Sequence, residues 1–210
     1  MRTYKLYGRQ GWGSVLVEAQ LVWYGMPYTM VELGDLFASA EAREQLAPIN
    51  PLAQVPTLAL PDGRIMTESA AITLMLADAT AQRPLVPSPG HITRPDFLRW
   101  LIFLVANVYP TFTYADDPRR FVPEASAEAF RVNVAAYKER LWHQVDEAAK
   151  APWFLGQNFS ALDIYIAAMT HWLPRRQWFA TACPNLTAIA LATEALPDLA
   201  EVWRRNFPRG

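Results

Sequence analysis

The first eighty residues show two alternating hydrophobic periods, one typical of strands and one typical of helices. Residues 3–7 alternate polar and apolar side chains, which predicts a short strand, and the glycine-rich stretch Gly8–Gly13 that follows predicts a loop. Apolar residues then recur with helical spacing, which predicts a helix that starts at Ser14 and ends before Gly25. The chain therefore begins with a strand, a loop and a helix.

Further segments complete the pattern of this first part. They are a strand over residues 28–33, a helix over 38–46, two strands over 57–60 and 64–67, and a helix from Glu68 or Ser69 to about residue 79. Asp62-Gly63 separates the two later strands and supplies the backbone angles of a hairpin turn. The order βαβαββα, with two parallel strands first and an antiparallel pair last, predicts a thioredoxin-like domain over residues 1–80.

The second half of the chain shows helical spacing only. Prolines gather over residues 81–95, which predicts a linker at the surface. Helices are predicted from Phe97 to about Tyr114, from Ala127 to Ala149, and in shorter segments after Ser160, Pro184 and Pro197. Ser160-Ala-Leu-Asp163 has the spacing of a capping box. We therefore predict an α+β protein, with a thioredoxin-like N-terminal domain and an all-helical bundle domain over residues 96–210.

Charge and composition exclude several classes of function. The 210 residues carry 19 lysines and arginines against 20 aspartates and glutamates, and this net charge of −1 does not suit a nucleic acid partner. No apolar run approaches the ~18 residues that span a membrane, and the first residues do not resemble a signal peptide, so a cytoplasmic location is expected. The single Cys183 and the scattered His91, His143 and His171 lack metal-ligand spacing, so no metal is expected.

The tripeptide Gln54-Val55-Pro56 lies just before a predicted strand. In thioredoxin-like folds a cis proline at this place exposes the backbone N–H and C=O of the preceding residue, which can then pair with an extended peptide. A cis X-Pro bond is uncommon, about 5–6% of such bonds, and an ordinary trans proline at a strand start is the alternative. The dipeptide alone does not decide between them.

Glu68-Ser69 opens the next predicted helix. The N–H groups of a helix N-terminus, together with the Ser69 hydroxyl, form a good site for a carboxylate, and the Glu68 side chain can hold an ammonium group. Plain helix capping is the alternative. Combined with the turn at Pro56, the pair favours a site for the amino-acid end of a peptide.

Together these motifs resemble the glutathione S-transferase family, over essentially the whole chain. The matching segments are Leu6-Tyr7-Gly8, Gly25-Met-Pro27-Tyr28, Asn50-Pro-Leu-Ala-Gln-Val-Pro56, Asp62-Gly63, Thr67-Glu68-Ser69, Phe154-Leu-Gly156 and Phe159-Ser-Ala-Leu-Asp163. The bacterial, cytosolic beta-like and serine-type classes are the most similar. The resemblance implies that Gln54, Val55 and Pro56 bind glutathione, with Val55 pairing with its cysteinyl backbone, and that Glu68 and Ser69 bind its γ-glutamyl end. It also implies a homodimer.

Two hydroxyls are candidates for activating the glutathione thiol. Ser14 opens the first helix, where a hydroxyl and the helix dipole can stabilise a thiolate. Tyr7 ends the first strand, near the tyrosine that the resemblance places in the tyrosine classes, while Gly13 occupies the position of the beta-class cysteine. Simple N-capping by Ser14 and core packing of Tyr7 are the alternatives, and a backbone amide is a third possible donor.

A second substrate is expected between the Gly8–Gly13 loop and the first helix of the second domain. Four aromatic residues are candidates for lining an apolar pocket there: Trp12, Tyr109, Phe112 and Tyr114. Packing in a helix bundle is the alternative, above all for Phe112.

The resemblance therefore implies a detoxification enzyme, a glutathione transferase that conjugates its co-substrate glutathione to small apolar electrophiles. A non-catalytic binding or regulatory protein with this fold is the alternative from another class. A glutathione-dependent isomerase or disulfide reductase is a further alternative, although Gly11-Trp12-Gly13 replaces the Ser-Ser-Cys signature of the zeta-class isomerases.

Overall fold

The structure, a computed structural model that describes residues 3–208, divides into two compact units. The first unit contains the chain up to Val86 together with the segment from Glu194 onwards, and the second runs from Pro87 to Thr193. The boundary at residues 86 and 87 falls within the predicted linker. The C-terminal segment differs from the predicted division, because it packs with the thioredoxin-like part and not with the helices that precede it in sequence.

A four-stranded sheet organises the first unit. The strands are β1 (Tyr4–Gly8), β2 (Tyr28–Glu32), β3 (Thr57–Ala59) and β4 (Ile65–Met66), in the order β2-β1-β3-β4. β1 pairs parallel with β2, and β3 pairs antiparallel with both β1 and β4. This arrangement confirms the predicted thioredoxin-like topology.

Three helices cover the sheet, which separates two apolar clusters. They are α1 (Val15–Trp23), α2 (Ala40–Leu46) and α3 (Ser69–Asp78). Leu6 of β1 belongs to a cluster with residues of α1 and α3, whereas its neighbour Tyr7 packs against a second cluster that includes residues of α2. Successive side chains of a strand point to opposite faces of the sheet, which explains why the two neighbours lie in different clusters.

The second unit is helical, as predicted. Its helices are α4 (Arg94–Phe103), α5 (Tyr109–Asp116), α6 (Ala127–Ala148), α7 (Ala161–Met169), α8 (Arg176–Ala182) and α9 (Pro184–Glu194). A π-helical turn, Leu104–Val108, interrupts the helix that the sequence predicts as continuous from Phe97 to Tyr114. The last helix, α10 (Ala200–Asn206), belongs to the first unit. Across residues 3–208, every helix is too short or too polar to cross a bilayer.

The predicted capping box forms at the start of α7. The carboxylate of Asp163 accepts hydrogen bonds from the backbone N–H of Phe154 at 2.7 Å and of Ser160 at 2.8 Å, and from the Ser160 hydroxyl at 3.0 Å. Burial raises the pKa of Asp163 to about 6, and these three donors oppose that rise. Every residue of α7 is buried, so this carboxylate satisfies N–H groups that water does not reach.

Replacing Asp163 with Ala should therefore lower the free energy of unfolding by about 2–4 kcal/mol, because two buried N–H groups lose their acceptor. Chemical unfolding of the variant and the wild type measures the difference. Asp96→Ala is the matched control, since it removes an exposed carboxylate from the first turn of α4 and should change the stability by less than about 0.5 kcal/mol. Equal losses in the two variants would contradict the role of the capping box.

Candidate functional site

The turn before β3 is held by buried side-chain hydrogen bonds. The Nδ2 of Asn50 donates to the carbonyl oxygen of Gln54 and to the Oγ1 of Thr57, both at 3.0 Å, and the Thr57 hydroxyl donates to the same Gln54 carbonyl at 2.8 Å. Asn50 and Thr57 are buried, whereas the Gln54 side chain is exposed. The peptide bond between Val55 and Pro56 is cis. The three hydrogen bonds hold the turn where the chain enters the sheet.

Val55 presents an unpaired backbone. Within residues 3–208 its N–H and C=O make no hydrogen bond, since the pairing of β3 with β1 starts only at Thr57. The side chain is half-buried against the cluster of Leu33, Leu36 and Leu46. An adjacent donor and acceptor of this kind can pair with an extended peptide as an added strand would.

The start of α3 lies at the same end of the sheet. β4 runs antiparallel to β3, with Met66 at its end opposite Leu58, so the residues that lead from β4 into α3 lie at the end of the sheet where β3 begins. The first N–H of this region that finds a backbone acceptor is that of Ile72, which donates to the Glu68 carbonyl at 3.0 Å. The N–H groups of Ser69 and Ala70 make no hydrogen bond within residues 3–208, and helix N-termini of this kind attract anions.

Glu68 has an unusual backbone conformation. Its φ angle is +62°, in the left-handed region that residues other than glycine adopt rarely, and its side chain is exposed. Such strained residues cluster at ligand sites, where the fold holds a side chain in an orientation that it would not choose in a regular helix. The carboxylate of Glu68 therefore lies next to the anion-attracting start of α3, and the two can receive the two charges of an amino acid.

Ser14 connects the loop after β1 to the start of α1. It is 1% exposed, its hydroxyl donates to the Arg9 carbonyl at 3.0 Å, and the same oxygen accepts from the Arg9 N–H at 3.2 Å. A Cβ atom at Gly8 would lie 2.4 Å from the Cβ of Ser14, so the close packing of this loop requires glycine at that position. The Ser14 hydroxyl is thus engaged inside the loop.

Two backbone donors and one hydroxyl near this loop are not engaged. The N–H groups of Gly13 and Ser14, which precede α1, have no acceptor among the described residues. Tyr7 is opposite Thr57 in the β1–β3 pair, its ring packs against the same cluster as Val55, and its hydroxyl makes no hydrogen bond in the described part of the chain. The structure therefore brings Tyr7, Val55 and the start of α1 to one end of the sheet.

The aromatic candidates fall into separate groups. In the first unit, Trp12 is half-buried, with its ring centroid 5.1 Å from that of Phe37. In the second unit, the rings of Tyr109 and Phe112 both contact Trp172, at centroid distances of 5.5 Å and 5.1 Å. Phe112 is buried, as packing in a bundle requires.

Tyr114 lies in a different aromatic group of the second unit. Its ring centroid is 4.8 Å from that of Phe121, and both side chains are partly exposed. The structure therefore does not bring Tyr114 together with Tyr109 and Phe112.

Several polar residues at this end of the first unit have no counterpart in the sequence interpretation. The carboxylate of Glu18, in α1, accepts hydrogen bonds from the Tyr28 hydroxyl at 2.8 Å, from the Nδ2 of Asn206 at 2.7 Å and from the Arg205 guanidinium. A glutamate within a mostly apolar helix is a sequence signal of this contact. Its partner Asn206 is 188 residues away, and no local pattern indicates such a pairing.

The other chemically reactive residues show no site. Cys183 is buried in the second unit, and burial raises the pKa of its thiol to about 12, so it is a poor nucleophile. In the described residues, no three His, Cys, Asp or Glu side chains come together as metal ligands would.

Comparison with known proteins identifies relatives of this chain. A family model for the "Glutathione S-transferase, N-terminal domain" matches residues 17–79. Over 204 residues the chain is 43% identical to the "Uncharacterized GST-like protein YncG" of Escherichia coli K12, covering 96% of this chain and 98% of that protein. It is also 30% identical over 169 residues to the "Glutathione S-transferase GstA" of Escherichia coli O157:H7, covering 80% of this chain and 81% of that protein.

Solved structures share the fold. A glutathione transferase homolog from Sulfitobacter, crystallised with bound glutathione, superposes with a TM-score of 0.86 at 24% sequence identity. The superposition covers 96% of this chain and 97% of that one. The thioredoxin-like unit and the helical unit therefore occur together in a known fold.

The hydrogen bonds of Asn50 should determine the order of the Val55 turn. Replacing Asn50 with Ala should lower the free energy of unfolding by about 1–3 kcal/mol, because the Gln54 carbonyl and the buried Thr57 hydroxyl each lose a donor. It should also speed amide hydrogen exchange over residues 52–57. Gln54→Ala, which removes an exposed side chain from the same turn, is the control and should leave both measurements close to wild type. Unchanged exchange in the Asn50 variant would contradict this role.

Proposed function

Because the chain belongs to the glutathione S-transferase family, we propose that it binds glutathione and conjugates it, through its sulfur, to a small apolar electrophile. The observation that carries the proposal is the unpaired backbone of Val55 beside the exposed Glu68 and the open start of α3. The relative crystallised with glutathione supports this choice of ligand.

Glutathione is a peptide with a zwitterionic amino-acid end, and the site offers a partner for each part. The N–H and C=O of Val55 would pair with the cysteinyl backbone of glutathione. The α-carboxylate of the γ-glutamyl residue would lie against the N–H groups of Ser69 and Ala70 and the Ser69 hydroxyl. Glu68 would hold the α-ammonium group. Gln54 and Pro56 would contribute by shaping the turn, since the Gln54 carbonyl is held by Asn50 and Thr57.

The thiol must then be ionised. A free thiol has a pKa of about 8.5, and lowering that pKa by about 2 units requires about 2.7 kcal/mol of preferential stabilisation of the thiolate. The unengaged donors are the Tyr7 hydroxyl and the N–H groups of Gly13 and Ser14 at the positive end of α1. Ser14 could donate its hydroxyl only by leaving the Arg9 carbonyl. We therefore assign the direct hydrogen bond to Tyr7 and the backbone, and a positioning role to Ser14.

The reaction itself is a nucleophilic transfer. The thiol proton leaves to solvent, the thiolate attacks an electrophilic carbon, the sulfur–carbon bond forms, and the bond from that carbon to its leaving group breaks. Rate comes from the supply of thiolate and from holding it beside the acceptor. Trp12, half-buried on the cluster that also contacts Tyr7 and Val55, is the proposed apolar contact for the acceptor in the first unit.

A second candidate is a glutathione-binding protein without transferase activity. The hydrogen bonds between the Ser14 hydroxyl and Arg9 favour this second candidate. They leave Tyr7 as the one side-chain hydroxyl, of the two candidates, that can donate to the thiolate. Both candidates require glutathione binding, and they differ in whether conjugation follows.

Binding is tested by calorimetry with reduced glutathione. Glu68→Gln and Ser69→Ala should each weaken binding by about tenfold, since each removes one charge-assisted contact to the amino-acid end. Glu41→Gln alters an exposed glutamate in the first turn of α2 and should bind like the wild type. A wild-type protein that binds no glutathione at millimolar concentration would overturn the proposed function.

Conjugation is tested with an activated aryl chloride as acceptor. Tyr7→Phe should lower kcat by about 100-fold, because it removes one donor to the developing thiolate. Ser14→Ala should lower kcat by less than about tenfold and reduce stability by about 1–2 kcal/mol through its bonds to Arg9. Tyr4→Phe makes the same chemical change on the same strand, in the other apolar cluster, and should leave kcat unchanged.

The outcomes separate the two hydroxyls and the two functions. A large loss of kcat in the Ser14 variant with none in the Tyr7 variant would reverse the assignment. A wild-type protein that binds glutathione but conjugates no acceptor would favour the binding protein.

A further inference from the structure

A buried carboxylate, that of Glu18, lies near the loop that leads into α1. This loop carries the N–H groups of Gly13 and Ser14, which have no acceptor among the described residues. Glu18 is 1% exposed, and it is surrounded by the Tyr28 hydroxyl, the Arg205 guanidinium and the Asn206 amide. Burial and the nearby Glu18 raise the pKa of Tyr28 to about 12, so that its hydroxyl stays a donor. A charge in this position is tolerated only while its hydrogen bonds are made, which fixes where the end of α10 must lie.

Asn206 connects this carboxylate to the loop. Its Nδ2 donates to the Oε2 of Glu18 at 2.7 Å and to the Val202 carbonyl at 3.0 Å, while its Oδ1 accepts from the Gly11 N–H at 3.1 Å. The preceding carbonyl, that of Arg205, accepts from the Nε2 of Gln10. One buried amide therefore binds α1, α10 and the loop at the same time.

The contact with Gly11 is close. Gly11 has a φ angle of +75°, and a Cβ atom there would lie 3.2 Å from the Asn206 carbonyl oxygen. The loop thus has two anchors: the Ser14 hydroxyl holds Arg9 at one point, and Asn206 holds Gly11 at the other. Trp12 and the N–H groups of Gly13 and Ser14 follow the anchored Gly11 directly in the chain.

We propose that Asn206, at the far end of the sequence, is a positioning residue for the thiol site, which holds the loop so that the N–H groups before α1 face the glutathione sulfur. The inference rests on the proposed function for its activity readout, but the anchoring of the loop can be measured without glutathione. Asn206 acts through Gly11 and Glu18 and does not itself contact the substrate in this proposal.

The first test compares Asn206→Ala with Val202→Ala. Both alter buried positions of α10, but only the first removes the amide that contacts Gly11 and Glu18. In the free protein Asn206→Ala should speed amide hydrogen exchange over residues 9–14 by at least about tenfold, while Val202→Ala lowers the melting temperature and leaves that exchange unchanged. Equal exchange in this loop for both variants would overturn the proposal.

The second test uses kinetics with glutathione and the aryl chloride. Asn206→Ala should lower kcat by about tenfold and raise the pH at which the bound thiol ionises, followed by its ultraviolet absorbance, while KM for glutathione changes less than about twofold. We expect kcat to change more than KM, because the proposed glutathione contacts at Val55 and Ser69 are not altered. A loss that falls on KM alone would overturn the proposal, since it would place Asn206 in binding and not in positioning.

Two further variants, N206D and E18Q/N206D, test the proposal if the alanine variant does not fold. N206D places a second carboxylate beside Glu18, where the Arg205 guanidinium and the Tyr28 hydroxyl also lie. Two adjacent carboxylates share a proton, and the pKa for the loss of that proton is raised. The ratio of variant to wild-type kcat should therefore fall as the pH rises. The double variant E18Q/N206D restores one amide and one carboxylate and should recover kcat to within about threefold of the wild type. A ratio independent of pH, or no recovery, would overturn the proposal.

The proposed function and this inference fail in different ways. A wild-type protein that neither binds nor conjugates glutathione ends the proposed function, whereas an active wild type with unaltered N206A loop exchange and kcat ends the inference alone.

Discussion

The candidate site depends on the pairing of β3 with its two neighbours. β1 runs towards the loop before α1, β3 runs in the opposite direction, and β4 runs back towards α3. The end of β1, the start of β3 and the end of β4 therefore meet at one end of the sheet. Tyr7, Val55 and Ser69 are distant in sequence, and this alternation of strand directions alone brings them together.

Buried polar groups then fix the backbone at that end. Asn50 holds the turn before β3, Ser14 closes the loop after β1, and Glu18 holds the end of α10. Each of these side chains is buried, so each must find its hydrogen-bond partners within the protein. While these side chains are hydrogen-bonded within the protein, the backbone groups of Val55, Gly13 and Ser69 are not, among the described residues. A ligand can therefore bind to them.

The two hydroxyls near the thiol site illustrate how a fold assigns roles to similar groups. Ser14 occupies the position that a helix N-terminus gives to an activating hydroxyl, but its hydrogen bonds are directed at Arg9. Tyr7 packs on the same cluster as Val55 with its hydroxyl unengaged. The direction of a hydroxyl depends on what surrounds it after folding, and so its position in the sequence cannot distinguish a loop anchor from a donor to substrate.

Features that depend on neighbouring residues could be predicted from the sequence. The alternation of strand and helix periods, the Asp62-Gly63 turn and the Ser160–Asp163 capping box are local, and they sufficed to predict the thioredoxin-like order, the helical second unit and the turn before β3. Two features came only from the tertiary structure: the return of the C-terminal segment to the first unit, and the bond between Glu18 and Asn206 across 188 residues. These depend on burial and on partners far along the chain, which a local pattern does not encode.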